Sequence, residues 1–339
     1  SNLLKESGLM SNNNNFKFCL GGHSAIKKIN LGESFKVFTE DCFSGKLTTE
    51  CGKPREIAPF PKVNPLTGPF HIEGVKKGDI IAIFIESMTP ARNWGVSTLS
   101  PNFGLLSGTR FSPNIQPDTH ERVWIWQLDN KHKLLKTKTK NGSQISAPFH
   151  PFFGTIGVAP AHGEVRLSVV PGDFGGNLDM PDLSPGTTLY LKANEDGGHL
   201  YLGDGHFAQG DGEMSGTAIE GAFHSNIRVT LAPEDKTFDF PRIETEDLIG
   251  VVGVGRPLEN AIKVAAADMV KWVSSLIGLD QDDAYQLVSQ TGKLRVCNLV
   301  NPEYTVMLYL HKKNIYFLYN LLYHLIFSLH QHILVKNIC

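Results

Sequence analysis

The sequence predicts a mainly β protein with a C-terminal α+β part. Glycine and proline are abundant, with 33 and 19 residues among 339, as is typical of chains with many turns between short strands. Strand-like patterns fill the N-terminal two thirds, whereas the long helical pattern lies at 258–277. At this length a single hydrophobic core usually divides, so we expect two or three subdomains.

Changes of pattern along the chain predict four segments. We expect an N-terminal β-sandwich-like subdomain at 16–150, a central β subdomain at 151–235, a C-terminal α+β subdomain at 236–312 and an atypical apolar tail at 313–339. The central subdomain carries two glycine-rich motifs. Because clefts form where subdomains meet, we expect the functional site at their junction.

Alternating apolar and polar residues, rich in β-branched and aromatic types, predict the strands. Such runs at 31–44, 80–87 and 122–128 are bounded by glycines or polar turn residues. Residues 157–170 carry a further strand pattern. Residues 89–115 are rich in proline, glycine, serine and asparagine, which predicts a long irregular segment.

Two helices are predicted near the C-terminus. Between 258 and 277, apolar residues recur at spacings of three and four, and Glu259 near the start suits the helix dipole. A second helix at 282–290 should stop at Gly292, because glycine is favoured just beyond a helix end.

Charge, cysteine content and missing motifs restrict the class of protein. The formal charge is −2 without a long basic run, so nucleic-acid binding is not expected. Five cysteines without metal-type spacing fit reduced thiols in an intracellular protein. Residues 1–15 lack the regions of a secretory signal, so the predicted location is cytoplasmic. No Gly-x-Ser-x-Gly elbow, P-loop or dinucleotide fingerprint is present.

The apolar run at 314–335 is long enough to cross a bilayer as a helix. Three interpretations stay open: a membrane tail, an element packed on the domain, or a segment derived from non-native coding sequence. Asn320, His324 and His330 interrupt the run, and polar residues near the middle of a spanning helix are costly. Membrane insertion is therefore not the expectation.

The densest functional signal is the run GDGHFAQGDGE at 203–213. It places three carboxylates, a histidine and an amide among four glycines. A second glycine-rich run, GDFGGNLD, precedes it at 172–179. Glycines let the backbone approach a ligand closely, so polar side chains set among them are placed for contact rather than for packing.

A histidine beside carboxylates predicts a metal site. Such a site, together with a free carboxylate to move protons, is what hydrolysis of a stable bond requires. His206 and Asp204 offer nitrogen and oxygen donors that suit zinc or a similar divalent ion. Glu213 is the candidate general base. The alternative is that Asp204 and Asp211 only form turns, since Asp-Gly pairs favour them.

Other polar residues are weaker candidates. Asp41 follows a predicted strand and could point a carboxylate into a cleft or form a turn. Asn177 and Asp179 could bind a polar substrate, orient a ligand or form turns. Cys42 and Cys51 are interpreted as small residues without chemistry, because no histidine or helix N-terminus nearby indicates a thiolate.

The two glycine-rich runs resemble the acetamidase/formamidase family of metal-dependent amidohydrolases. The similarity extends to EDCFSG at 40–45, VNPLTGP at 63–69, FFGTIGVAP at 152–160 and LVSQTGKLRVCNLVNP at 287–302. Together these ordered blocks cover roughly residues 35–306. Chance agreement over so many ordered blocks is improbable.

The resemblance implies hydrolysis of a short carboxylic amide, such as formamide or acetamide, to the acid and ammonia by a metal-activated water. It also implies a multi-subdomain β-sandwich or β-barrel architecture and a homo-oligomer. Zinc is the expected cofactor, with calcium as an alternative. Two other functions stay open: hydrolysis of a bulkier amide such as an aryl-acetamide, and a catalytically silent binding or assembly protein.

The resemblance points to five residues of the reaction centre, to which we assign the following roles. Asp41, Asp179 and Asp204 are expected metal ligands. His206 is expected both as a ligand and in catalysis, and Glu213 accepts the proton of the water.

Four further positions concern the substrate. Gly176, Asn177 and Gln209 are expected to bind it. Phe174 stands where many relatives carry histidine or asparagine, which would shift the preference toward a more apolar acyl group.

Overall fold

The computed structural model describes residues 15–107, 120–232 and 238–315, and these form a mainly β protein. In chain order, the strands are β1 (Cys19–Leu20), β2 (Lys27–Asn30), β3 (Ser34–Thr39), β4 (Leu66–Glu73), β5 (Ile80–Pro90), β6 (Trp94–Leu99), β7 (Arg122–Asp129), β8 (Leu134–Lys138), β9 (Gln144–Pro148), β10 (Phe152–Gly157), β11 (Arg166–Leu167), β12 (Pro171–Gly172), β13 (Gly175–Asn177), β14 (Thr188–Lys192), β15 (Leu200–Ala208), β16 (Ile219–Glu220), β17 (Phe223–Leu231), β18 (Arg242–Glu244), β19 (Leu248–Gly255), β20 (Lys293–Asn298) and β21 (Tyr304–His311). The helices are α1 (Pro54–Ile57), α2 (Leu258–Ile277) and α3 (Gln281–Thr291). The predicted fold class, mainly β with a C-terminal α+β part, is confirmed.

Two large sheets contain most of the strands. One has eleven strands along the path β12-β13-β10-β15-β16-β6-β7-β8-β9, with β4 beside β15 and β2 beside β4. The other has eight strands in the order β20-β21-β19-β18-β14-β5-β17-β3. The eight-stranded sheet therefore combines strands from the N-terminal, central and C-terminal segments.

The apolar faces of the two large sheets share one buried core. Phe153 and Leu202 come from the eleven-stranded sheet, and Ile83 and Val229 come from the eight-stranded sheet. All four side chains are fully buried. Full burial of a side chain of this kind stabilises a fold by about 1.5–3 kcal/mol, so this shared layer holds the sheets together.

A second core lies between α2 and strands β19 and β21. Ala265, Met269 and Val273 recur at a spacing of four and are fully buried on the inner face of the helix. Gly253 in β19 allows the helix to approach, because a Cβ atom there would lie 2.0 Å from the carbonyl oxygen of Ala261. The predicted helix at 258–277 is confirmed.

The second predicted helix is also confirmed, one residue longer at each end. It begins after Asp280, whose carboxylate accepts hydrogen bonds from the backbone N–H groups of Asp282 (2.9 Å) and Asp283 (3.0 Å). It ends before Gly292, as predicted.

Two predictions of strand and loop were wrong. Of the strand predicted at 157–170, only β11 (Arg166–Leu167) is present, because Pro160 and the left-handed backbone of His162 (φ 59°) do not continue a strand beyond the end of β10 at Gly157. The segment 89–115 was predicted as irregular; residues 108–115 lie outside the described residues, and the described part contains β6. All six residues of β6 pair with β7, so pairing outweighs the turn-rich composition around it.

Within the three described ranges, no helix has the length and apolar character needed to cross a membrane. The predicted apolar tail lies outside the described residues beyond Ile315.

Candidate active site

Strand β15 carries the first two site residues. Its nine residues are all buried, and it pairs antiparallel with β10, β16 and β4. Asp204 and His206 are two positions apart on this strand, which places them on one face. Gly205 lies between them, and a Cβ atom there would lie 2.4 Å from the ring of Phe223. Strand β15 therefore packs closely against Phe223, which keeps the side chains of Asp204 and His206 in the interior.

His206 lies among three carboxylates. Its Nε2 atom is 3.3 Å from Oε2 of Glu220 and 3.6 Å from Oδ1 of Asp204. The same nitrogen is 3.9 Å from Oδ1 of Asp179. All four atoms are buried, and none has a hydrogen-bond partner in the described part of the chain. We call these four residues the donor cluster.

Each carboxylate of the donor cluster has its second oxygen held by the protein. Oδ2 of Asp179 accepts hydrogen bonds from Asn177 (3.0 Å), Asn298 (2.8 Å) and Asn301 (2.6 Å). These amides fix the carboxylate so that Oδ1 points away from them, toward His206.

The same arrangement recurs at the other two carboxylates. Oδ2 of Asp204 accepts hydrogen bonds from Asn64 (2.7 Å) and Thr155 (3.3 Å). One oxygen of Glu220 accepts a hydrogen bond from the backbone N–H of Ala218 at 2.9 Å. In both residues the remaining oxygen faces His206 without a partner.

Gln209 fixes the imidazole of His206. Its Nε2 donates to the carbonyl oxygens of Asp179 (2.8 Å) and Cys297 (2.9 Å), so its Oε1 is the atom 3.0 Å from Nδ1 of His206. Nδ1 must then donate its proton in a hydrogen bond to Gln209, which makes Nε2 the ring nitrogen that is available to coordinate a cation. The residue was predicted to bind substrate, but the structure places it behind His206 and not in the cavity wall.

Three members of the donor cluster, Asp179, Asp204 and His206, have ligand atoms within 4.8 Å of one another, an arrangement that can hold a divalent cation. Leaving a buried polar atom unpaired costs about 1–3 kcal/mol, and here four such atoms converge. Buried groups of this kind are paired or coordinate metals. Outer hydrogen bonds that orient an imidazole and its neighbouring carboxylates are typical of protein metal sites.

The pKa shifts within the donor cluster also indicate a site that positive charge would stabilise. Burial raises the pKa of Asp179 to about 8, and the Asp204 carboxylate adds to this. Burial raises the pKa of Glu220 to about 7, although His206 opposes it. Burial alone would lower the pKa of His206, but Glu220 and Asp204 raise it well above its usual range. A cation would offset this mutual repulsion of carboxylates.

Backbone strain is concentrated at the same place. Four non-glycine residues of the site have left-handed φ values: Asn64 (52°), Asp179 (44°), Asp204 (53°) and Glu213 (47°). Such a conformation costs about 1–3 kcal/mol per residue and persists where the surroundings impose it. The fold holds these side chains in place against local preference, which is typical of functional sites.

Glu213 lies at the edge of the donor cluster. It ends the short 3₁₀ turn Asp211–Glu213, is buried, and accepts a hydrogen bond from Asn298 at 2.7 Å. A carboxylate oxygen of Glu213, a nitrogen of His206 and an oxygen of Glu220 lie within 4.8 Å of one another. Burial raises the pKa of Glu213 well above its usual range, and Asp179 raises it further.

Asp211, in the same turn, is different. Its side chain is 63% exposed, with an oxygen 3.5 Å from the guanidinium of Arg295. The turn interpretation therefore describes Asp211, whereas the buried Asp204 belongs to the donor cluster.

Asp41 is buried, but the structure does not bring it into the donor cluster. Its Oδ1 accepts from the backbone N–H groups of Phe43 and Gly45, both at 2.9 Å. Its Oδ2 forms an ion pair with Arg92. Both oxygens are thus engaged within a turn. Burial raises the pKa of Asp41 to about 6, and Arg92 opposes this.

The structure separates the remaining predicted positions. Asn177 lines the cavity described below, and its Oδ1 accepts a hydrogen bond from Asn64 at 3.2 Å. Gly176 is required by the backbone, since a Cβ atom there would lie 2.4 Å from the carbonyl oxygen of Val170. Phe174 packs in the shared core and is absent from the cavity wall, so it does not shape the pocket as expected.

Sequence reasoning missed Glu220 and four hydrogen-bond partners of the cluster. Glu220 reaches His206 because β16 pairs with β15 in a register that sets the two residues opposite each other. Glu220 ends the run MSGTAIE at 214–220, which directly follows the glycine-rich run at 203–213 and was a usable signal. The partners come from distant parts of the chain: Asn64, Thr155, Asn298 and Asn301.

A cavity of about 710 Å³ opens onto these residues. Its wall includes the carboxylates of Asp204, Glu213 and Glu220. Apolar side chains contribute much of the remaining wall, among them Phe43, Val63, Phe103, Val169, Val300 and Pro302. The site therefore joins a polar reaction centre to a larger apolar chamber.

Comparison with known proteins decides the family. A sequence profile of the Acetamidase/Formamidase family matches residues 23–166 and 163–312, which is most of the chain. The chain belongs to the acetamidase/formamidase family. The resemblance inferred from the motifs is confirmed.

Solved structures of this family share the fold. An acetamidase from Yersinia enterocolitica superposes with a TM-score of 0.81 and 36% identity, over 88% of this chain and 89% of that chain. An acetamidase from Bacillus halodurans gives a TM-score of 0.79 and 30% identity, over 88% of this chain and 95% of that chain.

A more distant relative is the putative formamidase of Schizosaccharomyces pombe, 24% identical over 241 residues. That match covers 56% of this chain and 57% of the relative, so it spans less than two thirds of the relative's length.

Proposed function

We propose that the chain hydrolyses a carboxylic amide to the acid and ammonia, using a divalent cation held by Asp179, Asp204, His206 and Glu220. The observation that carries the proposal is the donor cluster, in which four buried atoms without hydrogen-bond partners converge. Glu220 takes the place that the sequence assigned to Asp41. Membership of the family supplies the amide as the substrate class.

The donor set favours zinc among the expected ions. An imidazole with carboxylates is a usual zinc donor set, whereas calcium takes oxygen donors alone. When bound, such an ion supplies Lewis acidity, which lowers the pKa of water and stabilises negative charge on a carbonyl oxygen.

Glu213 is the proposed general base. Asn298 fixes Oε2, which leaves Oε1 to accept a proton. The raised pKa of the buried carboxylate makes it a stronger proton acceptor than a carboxylate in water. It removes a proton from water as the water oxygen bonds to the amide carbon. The proton then passes to the leaving nitrogen as the carbon–nitrogen bond breaks, which releases ammonia.

The amide groups that surround the cluster orient the reaction centre. Asn177 and Asn301 line the cavity while they hold Asp179, so they connect the wall that faces substrate to the carboxylate that they fix. Gln209 keeps Nε2 of His206 on the side of the carboxylates.

The size of the substrate has two candidates. Formamide and acetamide are the short amides that the names of relatives suggest. The cavity of about 710 Å³ favours a bulkier amide such as an aryl-acetamide, because cavities of roughly 300–1,000 Å³ hold ligands of drug size. Phe103 in the wall, 41% exposed, offers a surface against which an aromatic acyl group would pack.

The proposal includes a cytoplasmic location and a homo-oligomer. The four described cysteines, Cys19, Cys42, Cys51 and Cys297, are free thiols, which supports a reducing compartment. Light scattering of the purified protein would give the number of subunits.

Ammonia release tests the proposed reaction. The purified chain is assayed with formamide, acetamide and 2-phenylacetamide, before and after chelation, and again after zinc is restored. We expect turnover that chelation removes and zinc recovers, with 2-phenylacetamide preferred if the apolar chamber binds the acyl group. Turnover that persists unchanged in the fully chelated protein would exclude the cation mechanism. No turnover in the zinc-loaded protein would favour the catalytically silent alternative.

A further inference from the structure

Two arginines line the same cavity as the carboxylates of the reaction centre. Arg55 lies on helix α1, and Arg256 directly follows strand β19. Both residues are exposed, and within the described ranges neither guanidinium forms an ion pair. Arg242 and Arg295, by contrast, each pair with an aspartate. The cavity wall therefore carries two positive charges that are available to an anionic group of a ligand.

An aromatic ring positions Arg256. Its guanidinium carbon lies 4.7 Å from the ring centroid of Tyr304, in a cation–π contact. Tyr304 begins β21 and pairs with Gly255 at the end of β19, so the strand register sets the ring beside the arginine. The ring contact leaves the N–H groups of the guanidinium as donors for an anion.

The surroundings of Arg256 connect directly to the reaction centre. Tyr304 follows the loop between β20 and β21, and Asn301 and Pro302 of this loop line the cavity. Asn301 donates a hydrogen bond of 2.6 Å to Oδ2 of Asp179 in the donor cluster. One part of the cavity wall therefore links Asp179 to Arg256.

Arg55 brings the second charge from a distant part of the chain. Its backbone N–H donates to Oε1 of Glu121 at 3.1 Å, and its guanidinium donates to the carbonyl oxygen of Pro101. Asn102 and Phe103, which follow Pro101, line the cavity. A carbonyl oxygen is a neutral acceptor, so this contact orients the guanidinium without cancelling its charge.

We propose that the substrate is an amide whose acyl group ends in a carboxylate, such as a monoamide of a dicarboxylic acid, and that Arg256 and Arg55 bind this carboxylate. This inference rests on the amide hydrolysis of the proposed function. The guanidinium group presents N–H donors in a geometry that matches the two oxygens of a carboxylate. The apolar side chains of the wall pack the carbon skeleton that joins the two ends of the substrate.

Matched amides test the inference. The 4-carboxy and 4-nitro derivatives of 2-phenylacetamide have nearly the same shape, but only the first is charged. Succinamic acid and butanamide form a shorter aliphatic pair. Ammonia release by the zinc-loaded full chain at low ionic strength gives kcat and KM for each amide. In at least one pair we expect kcat/KM to be about tenfold or more higher for the carboxylate, because hydrogen bonds to charged groups typically contribute that factor.

Variants assign the preference to the arginines. Arg256→Gln should raise KM for the carboxylate amide about tenfold or more, with a much smaller effect on kcat, because it removes binding energy far from the reacting bond. Arg55→Gln should have a smaller effect, since its guanidinium also contacts Pro101. Arg166→Gln is the matched control and should keep the wild-type preference, because Arg166 pairs with Glu164 and is not part of the cavity wall.

The outcomes separate this inference from the proposed function. Equal kcat/KM within both pairs would overturn the anionic substrate and leave amide hydrolysis standing. A preference that survives when Arg55→Gln and Arg256→Gln are combined would assign the carboxylate to another partner, such as the cation, and would also overturn it. Absence of turnover for every amide would overturn the proposed function and the substrate class together. Circular dichroism checks that the variants fold, and the wild-type comparison is decisive without them.

Discussion

Two regions of the molecule bury carboxylates, and they differ in whether both oxygens of each carboxylate are paired. On helix α2, Asp268 accepts two hydrogen bonds of 2.9 Å from the guanidinium of Arg242 in β18, so both of its oxygens are paired. In the donor cluster, Asp204 and Glu220 each keep one oxygen paired and one unpaired. Burial alone therefore does not mark a functional carboxylate.

The surroundings of the two regions explain the difference. Arg242 lies between the rings of Phe238 and Trp272, each 4.6 Å from the guanidinium, so its charge is balanced by Asp268 and packed by aromatic faces. The donor cluster has carboxylates in excess of described cationic groups, with His206 as the central nitrogen. A buried pair complete within the protein is structural, whereas convergent unpaired donors indicate a ligand.

The largest expected effect concerns Glu213. Glu213→Gln should lower kcat about 10²–10⁴-fold, because general base catalysis contributes that much and an amide cannot accept the proton. Metal content and folding should stay unchanged, since the hydrogen bond from Asn298 reaches an oxygen that glutamine retains. Steady-state ammonia release measures the loss. Asp211→Asn, in the same turn but exposed, is the control and should keep near-normal turnover.

The next effect concerns the stability that the buried ion pair of Arg242 and Asp268 gives to the fold. Arg242→Met leaves Asp268 buried without its partner, which should destabilise the fold by about 3–5 kcal/mol. Zinc stoichiometry at the donor cluster should not change. Urea unfolding measures the difference, and Arg242→Met combined with Asp268→Leu should recover most of it. Loss of bound zinc in an Arg242 variant that is still fully folded would contradict the distinction between this structural ion pair and the donor cluster.

The smallest effect concerns the residue that fixes the imidazole. Gln209→Ala removes the hydrogen bond to Nδ1 of His206, so zinc affinity should fall about 10–100-fold while the protein still folds. Isothermal titration with zinc gives the affinity. An unchanged affinity would mean that His206 is held by its packing against Phe152, whose ring centroid is 4.9 Å from the imidazole.

Local patterns predicted the helices well and the site only in part. Helix α2 follows from apolar periodicity with Glu259 near its start, and helix α3 from its stop at Gly292, which are local features. Asp204, His206 and Glu213 stood out because glycines and polar residues concentrate in one run. The division of the chain into four segments stays a prediction.

The site contacts that the sequence did not predict depend on strand pairing and hydrogen bonds between distant parts of the chain. Glu220 enters the cluster through the register of β16 against β15, and Asn298 and Asn301 reach Asp179 from more than a hundred residues away. Asp41 was misplaced for the opposite reason, because its side chain bonds amides two and four residues ahead. Composition around the site was visible in sequence, whereas the partner of each oxygen was not.

Zinc binding to the metal-free chain, compared with Glu220→Gln, tests the central claim most directly. We expect the wild type to bind zinc and to gain about 2.7 kcal/mol of stability at a free zinc concentration of 100 Kd. Glu220→Gln should lose most of this gain, while its metal-free form is at least as stable as the wild type, because a repelled carboxylate is removed. A wild-type chain that neither binds zinc nor is stabilised by it would contradict the account.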